Sequence, residues 1–180
     1  MQSDAPDLDL WLPNPSVRVA HRRESSVSRE RLWSAAHEVR LSDTHLLGRL
    51  VHWRIPGLPA DDSFYDLFRE QPFLALSESD GTLISGLVGR IWTLRRDYPK
   101  LRDADEFREW SAPGTAKVLF ANWVEGASGG RGALRSEVRV RSFGAQGRIG
   151  LTSVRPLIRG FQNLVGSDAL AAAVRRAERA

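Results

Sequence analysis

Residues 115–125, TAKVLFANWVE, and 132–143, GALRSEVRVRSF, alternate apolar and polar side chains with a period of two, as half-buried strands do. The Gly-rich ASGGRG between them predicts a hairpin. Pairing Val124 with Leu134 sets Asn122 opposite Ser136, Phe120 opposite Val138 and Val118 opposite Val140. The other face then carries Trp123 with Arg135, Ala121 with Glu137, Leu119 with Arg139 and Lys117 with Arg141. One face is apolar with a polar pair at its centre and the other is charged, which predicts a sheet covered on one side and wet on the other. A slip of one residue would mix the two sets, so the pattern itself favours this register.

The same reading extends outward. FLALSES, 73–79, and TLISGLVGRIW, 82–92, flank Asp80-Gly81, a turn pair between two apolar runs that predicts another hairpin. The turn aligns Phe73 with Val88, Ala75 with Gly86 and Ser77 with Ile84; both faces are apolar, and which one lies inward stays open. Upstream, SVRVAHRR at 16–23 predicts a first strand with Val17, Val19 and His21 on one side. Ser28 is placed to cap a helix carrying Leu32, Trp33, Ala36 and Val39, with Val27 reaching Leu32 as a hydrophobic staple. A second short helix is expected over 45–55, stopped by Pro56-Gly57, and a turn or short helix over 63–70. Residues 93–114 form a charged connection with a short helix at DADEFREW. From about residue 147 the period becomes 3.6, with Val154, Leu157, Ile158, Phe161, Leu164, Val165, Leu170 and Val174 on one stripe. Pro156, Gly160 and Gly166 are expected to bend or interrupt it. Residues 1–15, with Pro13 and Pro15, read as an extended arm and 16–180 as a single domain. The fold class predicted is α+β: a curved antiparallel sheet wrapped around a long C-terminal helix, with two short helices after the first strand.

Composition narrows the chemistry. The chain of 180 residues carries a net charge of +4, but its basic residues are nearly all Arg, Lys100 and Lys117 being the only lysines. They are scattered among Asp and Glu rather than gathered on one run, so no nucleic-acid partner is expected. The absence of Cys excludes disulfides, thiolate metal sites and a Cys nucleophile. No apolar run suited to crossing a bilayer occurs and the N-terminus lacks a secretory pattern, which predicts a cytoplasmic protein with no integral membrane segment. His45 and His52 are seven residues apart rather than four, and no metal or other cofactor is expected. His52 beside Trp53 is either a proton carrier at a cavity mouth or an exposed helix residue. Glu137 falls on the charged face, away from any ligand, and no hydrolase, zinc-protease or dinucleotide motif is present. Trp33, Trp53, Trp92, Trp110 and Phe161 are candidates for core or cavity wall.

The VSRERLW opening of the first helix, GLVGRIW, ALRSEVRVRS before the terminal helix, and the ending VRPLIRGFQNLVGSDALAAAVRRAE together resemble the START/Bet v 1-like (SRPBCC) superfamily. That superfamily is the helix-grip fold, with polyketide cyclase/dehydrase-like members. One departure is FGAQG at the opening of the terminal helix, where the family often has a capping Asp. The resemblance implies a cavity between sheet and helix holding a lipid-, polyketide- or quinone-like ligand. Its expected lining is Asn122, Ser136, Phe120, Val138, His52, Trp53, Trp92 and Phe161. Three functions follow as alternatives: binding of such a hydrophobic small molecule, cyclase or dehydratase chemistry on it, or docking of a macromolecular partner on a protein with a filled core. Asn122 and Ser136 either bond to each other or present polar groups to the ligand.

Overall fold

The computed structural model describes residues 5–44, 46, 47, 49, 63–93, 97–126 and 128–179. The expected helix over 45–55 falls largely outside these residues, and His52 and Trp53 lie outside them altogether. Strand β1 (Val17–Ser25) leads into helix α1 (Arg29–His37); β2 (Leu74–Ser79) and β3 (Thr82–Gly89) follow, then the short α2 (Ala104–Glu109). β4 (Ala116–Gly126) and β5 (Gly132–Ser142) complete one antiparallel sheet in the order β1-β5-β4-β3-β2. The chain ends in α3 (Gly144–Leu164), a π turn at Val165–Ala169 and α4 (Leu170–Arg179).

The β4–β5 register is the one the alternation predicts, with Asn122 opposite Ser136 and Val124 opposite Leu134. The β2–β3 hairpin pairs as expected near its turn, Ser77 with Ile84, then slips at a bulge so that Leu74, not Ala75, meets Gly86. Leu76 is thereby turned toward Phe107 and away from the concave face. Ser28 caps α1 through its hydroxyl, which accepts from the Arg31 amide at 3.4 Å. Pro156 sits inside α3 without ending it, on the exposed side, and the break in helical regularity falls instead at the π turn around Gly166. Leu157 departs from the expected stripe: it is 53% exposed and points to solvent.

The second face of the sheet is wet along β1, where Arg18, Ala20 and Arg22 are exposed, but it is covered over β3 and β4. The face carrying Leu119, Ala121 and Trp123 packs on Leu8 and Leu12 of the N-terminal arm and on Leu101 and Phe107 near α2, forming a second core. Of the charged residues that suggested solvent, Glu137 and Arg139 are buried and satisfy each other. Glu137 receives Arg18 through two bonds of 2.8 and 3.0 Å and Arg139 Nε at 2.6 Å. Arg139 in turn reaches Asp9 at 2.6 Å and the Leu12 carbonyl at 3.3 Å, tying the arm to the sheet. A buried charge is tolerable only when so paired.

Lys117 is held differently. Its Nζ donates to the carbonyls of Phe107 at 2.9 Å and Arg108 at 2.6 Å, closing the C-terminal end of α2. Burial, with the charge of Arg141 adding to it, pulls its pKa down to about 8. The unfolded chain therefore binds the extra proton between that value and the ordinary 10.5, and folding gains from this group as pH rises through that window. Below pH 8 both states are protonated and the gain is absent. Unfolding free energies of the wild type and Lys117→Met, measured at neutral pH and at about pH 10, are expected to shift in favour of the wild type at the higher pH.

Candidate functional site

The concave face of the sheet lies beneath α3 and α4, and across its middle runs a polar row. The β1–β5 register sets His21 beside Ser136, and the β4–β5 register sets Ser136 beside Asn122. Gln162, fully buried on the inward side of α3, donates from Nε2 to the Ser136 hydroxyl at 3.0 Å. Ser85 stands one step away on β3, opposite Phe120. Asn122 and Ser136 are thus neighbours, yet the Ser136 bond comes from the helix. Asn122 Oδ1, Gln162 Oε1, His21 Nε2 and Ser85 Oγ are all buried without a hydrogen-bond partner. Each such group costs about 1–3 kcal/mol if left unmet, and native interiors carry few of them. Here four converge on one face.

His21 owes its place to Gly166. A Cβ at residue 166 would lie 2.5 Å from His21 Cγ and 2.7 Å from its Nδ1, so only glycine lets the imidazole sit under the π turn.

Apolar walls flank the row. Phe120 faces Phe161 across the interior with ring centroids 6.3 Å apart, and Phe68 and Phe73 pack edgewise or tilted against Phe120. Val138 is buried beside Val19. Along α3, however, Val154, Ile158, Phe161 and Leu164 are only partly buried, as are Phe120 on the sheet and Ile91 and Trp92 after β3. Farther on, Leu170, Ala173 and Ala177 of α4 are sealed. The apolar residues in the middle of α3 are therefore less sealed than those of α4.

Of the residues expected from the sequence, Asn122, Ser136, Phe120 and Val138 share the concave face, and Phe161 meets Phe120 from α3. Trp92 lies apart from them, stacked on α3 at Gly150, where any side chain would collide with the indole. Along the helix this is about 16 Å from Phe161 at the usual rise. Trp110 belongs to the outer core, its Nε1 donating to Thr115 Oγ1 at 2.9 Å, and Trp33 packs edge-on against His37 and Tyr65. His21, Gln162 and Ser85 were not among the expected lining. His21 shared a face with Val17 and Val19, and Gln162 is a polar residue between Phe161 and Leu164 on an inward stripe; those were the available signals.

An open groove of about 720 Å³ runs separately between α1 and α4, lined by residues such as Arg31, Glu38, Arg175 and Arg179. Among the described residues no cluster of three His, Cys, Asp or Glu is placed to hold a metal ion.

No family model matches the chain, and no curated protein matches it. Solved structures do. A hypothetical protein from Helicobacter pylori is 10% identical over 96% of this chain and 94% of its own, with a TM-score of 0.41. An aromatase/cyclase from a Streptomyces species is 14% identical over 91% of this chain and 94% of its own, with a TM-score of 0.35. Ara h 8.0201 is 15% identical over 91% of this chain and 99% of its own, with a TM-score of 0.31. The architecture itself is decided by the curved antiparallel sheet and the long C-terminal helix lying across it. The chain has the helix-grip fold. The polar row lies on the sheet face that α3 and α4 cover, and the outer core lies on the opposite face.

Proposed function

We infer that the protein binds a hydrophobic small molecule between the concave sheet face and α3. The observation that carries this reading is the set of four buried polar atoms on Asn122, Gln162, His21 and Ser85 that meet no protein partner. A mostly apolar wall with a few convergent polar groups is the usual composition of a small-molecule site. Phe120, Phe161 and Val138 would supply apolar contact, at about 25 cal/mol per Å² buried before association costs, and the polar row would set orientation. The proposal extends to a lipid-, polyketide- or quinone-like guest, the class that the sequence resemblance suggests.

The test separates ligand recognition from mere packing. Were Asn122 a structural residue, Asn122→Leu would lower stability by leaving its partners unpaired. Because its Oδ1 meets no partner, the expected outcome is a melting temperature unchanged or raised, together with weaker uptake of an apolar fluorescent probe bearing a hydroxyl group. Lowered stability with unchanged probe affinity would refute the binding role. Native mass spectrometry of the purified protein, searched for retained small molecules, tests occupancy directly.

A second reading, cyclase or dehydratase chemistry, is favoured by one feature: an imidazole whose buried Nε2 is uncommitted faces the same space. Under it, His21→Ala would abolish turnover of a bound ligand while leaving its affinity within a few fold.

A further inference from the structure

The solvent side of α3 lacks the mixed acidic and basic residues common on surface helices. Gly144–Leu164 contains three arginines and no carboxylate. Arg148, Arg155 and Arg159 are seven and four positions apart, so they share one flank, and all are exposed. Arg155 donates to the Ser16 carbonyl at 2.8 Å, and Arg148 and Arg159 have no ion-pair partner among the described residues. The rest of the exposed surface carries uncharged polar side chains, Gln146, Thr152, Ser153 and Asn163, and two large aliphatic ones: Ile149 is 74% and Leu157 53% exposed. Beyond Leu157 the apolar surface continues through the half-buried Leu164, Phe161 and Val154 to Trp92, which lies on the helix at Gly150.

The geometry points to α3 as a docking surface for an anionic lipid bilayer, lying in the interface with its arginine flank on the head groups and Ile149, Leu157 and Trp92 in the acyl boundary. Charge complementarity selects the partner. Cations without counter-charges on the same helix seek a polyanion, while exposed aliphatic side chains gain nothing on a nucleic acid and are stabilised by burial in lipid. A Trp at the rim suits a headgroup boundary, where its apolar body and its N–H are both satisfied. No helix among the described residues is long and apolar enough to cross a membrane, so the contact is with the surface. The apolar half of the docking face also borders the partly buried residues Val154, Phe161 and Leu164, which face the interior from α3. A guest would therefore move between bilayer and interior without crossing water, a consequence that rests on the binding function inferred above; the docking itself does not.

The experiment is flotation of the full chain with vesicles of phosphatidylcholine alone and of phosphatidylcholine mixed with phosphatidylglycerol. Binding is expected to the anionic vesicles, to be weakened by salt, and to be poor to the neutral ones. The pair Arg148→Glu and Arg159→Glu should lower partitioning by more than about tenfold, and the pair Ile149→Ser and Leu157→Ser should lower it at every salt concentration. All four positions are exposed, and unchanged melting curves would verify that the variants fold. Failure of the wild type to float with anionic vesicles overturns the proposal. So does binding that survives both double substitutions, or binding to duplex DNA that loses nothing on Ile149→Ser and Leu157→Ser. Loss of probe uptake with intact flotation would instead sink only the interior binding site.

Discussion

Replacing Glu137 with leucine is expected to remove about 3–5 kcal/mol of folding free energy, read from urea unfolding. Glu137 is 4% exposed, and its carboxylate is shared between the buried Arg139 and the more exposed Arg18. Without it, the Arg139 guanidinium would stay in a nearly dry layer between sheet and arm, with Asp9 as its one acidic partner. Leu8 and Leu12 depend on that same anchor to cover Leu119 and Ala121, so limited proteolysis should begin cutting the arm before the sheet opens. The control is the double substitution of Glu137 and Arg139 by apolar residues. It removes both charges at once and should recover much of the loss, because an apolar pair of similar volume needs no compensation. Equal damage from single and double substitutions would show that the network does not hold the arm.

That network also explains what was legible beforehand and what was not. The β4–β5 pairing could be read because a period of two and a short connection leave one register that keeps apolar side chains together. The second core could not. Its cover over Arg139 comes from residues 130 and 127 positions away, Asp9 and Leu12, and alternation within a strand says only that Glu137 and Arg139 share a face. A charged face reads as solvent unless the residues that neutralise it are known. The slip in β2–β3 was hidden for a related reason, since both faces of that hairpin are apolar and nothing in the pattern marks Leu76 as the residue to be bulged outward. At the site, Asn122 and Ser136 stood out by breaking an apolar run. His21 and Gln162 did not, because recognising them requires knowing that β1 pairs with β5 and that α3 turns Gln162 inward. The polar row is a product of tertiary assembly.

Gly166→Val is expected to be the most damaging single change to the interior site, lowering probe affinity by at least about tenfold through displacement of His21. A Cβ at that position would sit 2.5 Å from His21 Cγ and 2.9 Å from its Cβ, far inside contact, so either the imidazole leaves the polar row or the π turn straightens. Straightening would shift the register of α4 against the sheet, where Leu170 and Ala173 are sealed, and that alternative is costly. The ring is the cheaper group to move. His21→Ala alone should lose the imidazole contact but leave the space open, so its loss of affinity should be smaller. Combining the two substitutions then discriminates. With the ring gone, most of the collision at Gly166 is relieved, and the double variant should bind the probe better than Gly166→Val alone, a coupling of about 1 kcal/mol or more. Strict additivity would mean that Gly166 acts through the helix backbone and not through His21. A positive coupling would tie the π turn, the glycine within it and the orphaned imidazole into one device for presenting a polar group to the interior.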